Sequence, residues 1–191
     1  MVPTYRDGTV LLSAFTPDDV ESHLAGEDEE TARRFGWWPK SSTEQTVLRS
    51  FDDWAESWAN GGPIHTFAVR RQATGELLGG CQLRTDDDGG GEVSYWTGVG
   101  HRGRGYARRA LRLLTEHARG EGMTRLEAHI EADNRASVAV ALSAGYTEES
   151  RFDDDGTLMI RYVWTARPSG QHDLAVPAGQ HHGEPGPVAG P

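Results

Sequence analysis

The chain has 191 residues, 36% of them hydrophobic, which suits one domain able to build its own core. Its 29 Asp and Glu against 19 Lys and Arg leave a formal net charge of -10, a field that repels nucleic acid and anionic membranes and favours cationic partners such as amines. A single cysteine, Cys81, excludes an internal disulfide, and with no apolar leader behind Met1 and no long apolar run the chain is expected to be soluble and cytoplasmic.

From the N-terminus, "VLLSAF" (10–15) predicts a strand, and in "TPDD" Thr16 and Pro17 supply the cap and first position of a helix running to about Ala25. "EDEETARRF" (27–35) and "TEQTVLRSFDDWAESWAN" (43–60) predict two more helices. The second carries Val47, Leu48, Phe51, Trp54 and Trp58 at three- and four-residue spacings and stops at Gly61. Between them, "GWWPKSS" (36–42) is an aromatic loop. "IHTFAV" (64–69) and "LLGGCQLR" (77–84) flank a hairpin turn at Gly75, and "TDDDGGG" (85–91) turns the chain into a strand opened by Glu92. A helix over about 104–119, the strand "RLEAHIEA" (125–132), a short helix from Asn134 to Ala144 and strands around "YTEESRF" (146–152) and "TLMIRYVW" (157–164) follow. This order predicts an α/β sheet that mixes antiparallel pairs with at least one crossover connection. Residues 168–191 hold five prolines, five glycines and no aromatic, a composition that predicts a disordered tail. Its His172, His181 and His182 lack the fixed geometry of a metal site, and no metal is expected.

The densest signal is "EVSYWTGVGHRGRGYARRALRLL" (92–114), where strand alternation breaks into glycines and arginines and then into a helix with Ala107, Ala110, Leu111, Leu114 and Ala118 on one face. The first turn of a helix offers unpaired N–H groups and partial positive charge, and Gly103 and Gly105 let an anion come close to them. Gly100 suits a turn closed to bulkier residues. Arg102, Arg104, Arg108, Arg109 and Arg112 make a positive patch on an acidic chain. A phosphate ligand fits this pattern, although neither the Lys-Ser/Thr of a P-loop nor G-x-G-x-x-G spacing is present. Taken alone, the glycines are also compatible with a tight strand-to-helix turn and no ligand.

Arg102 to Ala107, "RGRGYA", resembles the R/Q-x-x-G-x-G/A signature of the GNAT superfamily of N-acetyltransferases. Together with "MTRLEAHIEADNRASVAVALSAGYTEE" (123–149), the chain is similar over about residues 8–166 to the branch that includes the ribosomal-protein N-terminal acetyltransferases. The resemblance implies a GNAT acetyltransferase domain over 1–167. Its expected fold is an α/β, mostly antiparallel mixed sheet of about seven strands flanked by helices and splayed between the fourth and fifth. It implies acetyl-CoA as co-substrate and direct transfer of an acetyl group to a primary amine of a peptide or protein N-terminus or of a small molecule.

The same resemblance assigns residues. The backbone of Arg102, Gly103, Arg104, Gly105, Tyr106 and Ala107 is expected to hold the pyrophosphate, and main-chain groups of Thr97, Gly98 and Val99 the pantothenate arm. Asn134 corresponds to the residue that bonds the pantetheine, Ser137 to one that reaches the thioester sulfur, and Trp37 and Trp38 to the loop walling the acceptor pocket. Glu92 is the expected general base, a carboxylate partly buried beside the cleft, with His65 and His101 as competitors. Many relatives place a Tyr seven residues after the Asn; this chain has Ala141. The alternative function is an inactive module that binds an acyl-CoA as a sensor. Acceptor identity, acyl length and a homodimer stay open.

Overall fold

A computed structural model describes residues 1–166; the segment 168–191, with its three histidines, lies outside the described residues. In chain order the elements are β1 (Tyr5–Arg6), β2 (Val10–Ser13), α1 (Val20–Gly26), α2 (Glu29–Arg34), α3 (Glu44–Asn60), β3 (Ile64–Arg71), β4 (Leu77–Thr85), β5 (Gly90–Thr97), α4 (Tyr106–Gly120), β6 (Arg125–Glu131), α5 (Arg135–Ser143), β7 (Thr147–Asp154) and β8 (Thr157–Thr165). One eight-stranded sheet runs β1-β2-β3-β4-β5-β6-β8-β7, antiparallel throughout except for the parallel pair β5 and β6. The strand absent from the sequence reading is β1, two residues long and too short for alternation to reveal. It makes the expected fourth and fifth strands β5 and β6.

Sheet register separates two faces. Phe67, Cys81 and Tyr95 form one cross-strand row and Thr66, Gln82 and Ser94 the next, so successive rows point to opposite sides. On one side α4 buries Ala110, Leu111, Leu114 and Ala118 in a core shared with Phe67, Val93, Leu126 and Tyr146. On the other, α1 and α3 close over Val20, Val47 and Phe51, with Phe15 stacked on Phe51 at 4.7 Å.

The first helix begins later than its cap suggested. Thr16 is the N-cap and Pro17 the first position, as expected, but the first turn, Pro17–Asp19, is 3-10; the Asp19 carboxylate accepts from the Thr16 amide at 2.8 Å and hydroxyl at 3.1 Å. Arg70 forks onto the same carboxylate, fixing α1 to β3. Thr43 caps α3 through the Thr46 amide, and Gly61 ends it in the left-handed region at φ 62°.

Candidate active site

The loop into α4 forms an open cradle of backbone. Gly103 and Gly105 sit at φ 73° and 77°, a conformation side chains resist, and a Cβ on either would meet open space. The left-handed turns fall on these two glycines; Gly100 lies in a short 3-10 segment without positive φ. The first helical bond is donated by the Arg109 amide to the Gly105 carbonyl at 3.3 Å, which leaves the Tyr106, Ala107 and Arg108 amides without backbone partners among the described residues. Tyr106 itself packs into the core, with its hydroxyl on Arg71.

Two of the five patch arginines, Arg102 and Arg109, are ion-paired within the described residues. Arg102 donates a fork to Asp28 at 2.7 and 2.8 Å and bonds Thr31, so its head faces α2; Arg109 pairs with Asp7, and Arg112 donates to the Ser143 carbonyl. The Arg102 hydrogen bonds hold the Asp28 carboxyl well below its usual range. Arg104 is exposed and forms no ion pair among the described residues. Through Asp28, and through Arg34 bonded to Glu131 and Asp133 at the far end of β6, α2 is tied across the top of the cleft.

Strands β5 and β6 pair only from Gly90 to Glu92 against Arg125 to Glu127 and then part. The Gly98 amide donates to the Leu78 carbonyl at 2.9 Å, so alternation turns the Val93, Tyr95 and Thr97 main-chain groups away from β4 and toward the parting strands. Of the three positions expected to offer free backbone, Thr97 offers its amide alone, since its carbonyl accepts from Arg102 Nε at 3.3 Å. Gly98 spends its amide on Leu78 and its carbonyl on the His101 amide. Val99 begins the 3-10 segment and is exposed.

A cavity of about 520 Å³ fills the gap, lined among others by Glu92, Tyr95, Gly103, Gly105, Asn134 and Ser137. Asn134 caps α5 by accepting from the Ser137 amide at 3.1 Å, which leaves its amide N–H groups to donate elsewhere. The Tyr95 hydroxyl donates to the Ser137 carbonyl at 3.0 Å, bridging β5 to α5 across the gap, and burial raises its pKa to about 12. Tyr95 was missed by sequence reasoning, although the alternation of "EVSYWT" places it on the α4 face of a strand entering the cradle. Ala141 is fully buried and points into the core. Glu92 lines the cavity on the same strand face as Ser94 and Trp96, yet it is exposed instead of partly buried, and it accepts no hydrogen bond among the described residues. His65 lines neither cavity; it stacks on Trp58 and bonds His117. His101 lines this first cavity, 3.6 Å from Glu76.

A second cavity, about 430 Å³, lies on the α1–α3 side and shares Thr31, Phe35, Ser94, Tyr95 and Trp96 with the first. Its floor is the row Thr66, Gln82 and Ser94. The glycine pair in β4 makes room for its wall: a Cβ at Gly80 would come within 2.6 Å of the Trp96 indole nitrogen, and one at Gly79 within 2.2 Å of the Trp96 carbonyl. The two loop tryptophans divide. Trp37 lines this cavity and stacks on Phe35 at 5.3 Å, whereas Trp38 is 45% exposed beneath Arg33 and lines neither cavity.

Residues 9–147 match the model of the acetyltransferase (GNAT) domain family. Among curated proteins, the N-acetyltransferase p20 of Bacillus licheniformis is 27% identical over 96 residues, 49% of this chain and 54% of that protein, so the match spans about half the relative's length. Among solved structures, the ribosomal-protein-S5-alanine acetyltransferase of Vibrio fischeri superposes with a TM-score of 0.71 at 15% identity, covering 85% of this chain and 96% of that one. Mycobacterium smegmatis RimJ in complex with CoA-disulfide gives 0.70 at 19% identity, covering 88% of each chain. At these identities the structures attest the shared fold.

Proposed function

As the chain belongs to the acetyltransferase (GNAT) domain family, we propose that it is an acetyl-CoA-dependent N-acetyltransferase acting on a primary amine, of a peptide N-terminus or of a small molecule. The observation that carries this reading is the meeting of two cavities at Ser94, Tyr95 and Trp96: one beside unpaired helix amides and unpaired strand edges, the other walled by aromatic rings. Acetyl-CoA supplies an acetyl thioester activated toward nucleophiles. The amides of Tyr106 and Ala107, with the backbone of Gly103 and Gly105, fit its pyrophosphate. The Tyr95 and Thr97 backbone and the Asn134 amide fit a strand-like pantetheine arm.

Direct transfer requires one proton removed from the acceptor and one given to the departing sulfur. Glu92, on the cleft side of β5, is the base in this reading, acting directly or through water. The proton donor beside the gap is the Ser137 hydroxyl; the Tyr95 phenol, which burial keeps protonated at neutral pH, donates to the Ser137 carbonyl and positions that residue. The test is acetyl-CoA-dependent acetylation of an amine panel that includes N-terminal peptides, followed by product mass. Thiol release without amine dependence, or tight acetyl-CoA binding with no product from any amine, would favour a module that only binds the acyl-CoA.

A further inference from the structure

The second cavity has a charged residue that the reaction above does not use. Glu27, just past α1, is held by its Oε1, which accepts from Ser42 Oγ at 2.9 Å and meets His23 Nε2 at 3.1 Å. Its side chain is only 16% exposed, and Oε2 has no partner among the described residues. Burial acts to push the carboxyl up, but the bonds from His23 and Ser42 outweigh it and hold the pKa below the usual range. Ser42 is neutral, and Lys40, the lining residue that carries a fixed positive charge, is exposed and not within ion-pair distance of Glu27. Glu27 is thus the one carboxylate among the lining residues of this cavity, with Oε2 left open, and Lys40 is the one fixed cation, at the exposed edge.

Around the Glu27 carboxylate stand three indole rings, Trp37, Trp54 and Trp96. Two polar atoms on lining residues, His23 Nδ1 and Trp37 Nε1, are buried without partners, so the lining is not satisfied on its own. Position is decisive. Glu27 lines the second cavity alone, whereas the wall common to both is Thr31, Phe35, Ser94, Tyr95 and Trp96. An amine reacting with a thioester in the first cavity must sit at that common wall, away from Glu27.

We propose that this cavity takes an acceptor with two basic nitrogens: the free amine reaches the common wall, while a second, distal ammonium is held by Glu27 Oε2 within the tryptophan faces. The inference rests on the acetyltransferase reading and deepens it by naming the class of acceptor. Aliphatic diamines and peptides with a lysine after the N-terminal residue share this chemistry.

The experiment compares kcat/KM at about pH 8, under saturating acetyl-CoA, for alkyl monoamines against α,ω-diamines of equal length, and for Ala-Ala against Ala-Lys peptides. Wild type is expected to prefer the dication by about 10-fold or more, the scale of one charge-assisted hydrogen bond, with the better pair identifying the source. Glu27→Gln should bring the ratio close to one, and Ser42→Ala, which frees one anchor, should lower it part of the way. Acetyl-CoA affinity, measured alongside, certifies the fold of each variant. An equal ratio in wild type and Glu27→Gln, or no dication preference in wild type, overturns the proposal. Should no amine be acetylated at all, the functional reading fails and binding decides this one: tryptophan fluorescence titrated with a diamine in the presence of CoA either responds in wild type and not in Glu27→Gln, which supports the site, or fails to respond in wild type, which removes it.

Discussion

Gly105 joins two requirements in one residue: a left-handed backbone at φ 77° and empty space where its Cβ would point. Gly105→Glu puts bulk and negative charge beside the free Tyr106 and Ala107 amides, while straining a single surface position by roughly 1–2 kcal/mol. The expected outcome is a folded protein that has lost at least about 100-fold in acetyl-CoA affinity by calorimetry; near-native affinity would return the glycines to a plain turn. Glu92 tests differently, because its exposed carboxylate has no hydrogen bond or ion pair among the described residues. Glu92→Gln should keep acetyl-CoA affinity and stability and lower turnover by roughly 100-fold, with loss of one limb of the pH profile. That limb must persist in wild type when the basicity of the acceptor is varied. Unchanged turnover at saturating substrate would leave proton removal to solvent or to the acceptor itself.

Helix α4 carries the cradle at one end and, at the other, a buried hydrogen-bonded chain that secures it to the sheet. His117 is 1% exposed; its Nδ1 meets the Tyr5 hydroxyl at 3.1 Å and its Nε2 meets His65 Nδ1 at 2.9 Å. Burial, with the neighbouring His65, pushes its pKa down to about 4, and burial lowers that of His65 as well. Between about pH 6.5 and 4 the unfolded chain therefore binds protons that the folded chain refuses, so stability is full above this window and declines as pH falls through it. A melting temperature lower by several degrees at pH 4.5 than at pH 7 is the expected result. Carboxylates held low, such as Asp19 beside Arg70, add their own loss toward the acid end of this window, so the decline already present at about pH 5.5 is the part that reports the histidine pair. A flat melting temperature across it would show that the pair accepts protons without loss of packing. From sequence alone His65 is a rival base; its partner His117 lies 52 residues away, and only folding brings the two rings together.

At the scale of the whole molecule, a net charge of -10 would act with opposite sign on the two proposed substrates, a cationic amine and acetyl-CoA. Raising ionic strength from about 10 to 500 mM should increase the KM of a cationic amine a few-fold and leave that of the anionic acetyl-CoA unchanged or lower, in initial-rate measurements. A parallel rise of both would mean that local contacts outweigh the overall field. Element types, the helix start at Asn134, the hairpin at Gly75 and the glycine turn before α4 were legible from the chain alone, because each rests on local spacing and on what glycine, proline and short polar side chains permit. What only tertiary structure decided was pairing and direction. The two-residue β1, the inner place of β8, the exposure of Glu92, the capture of Arg102 by Asp28 and the separation of Trp37 from Trp38 depend on partners far along the chain. The second cavity arises the same way, since Glu27, Ser42, Gln82 and Trp96 meet only after α1, the loop into α3 and strands β4 and β5 have packed. Local spacing determines which conformation a segment adopts; which surfaces then face each other is set by burial summed over the whole sheet.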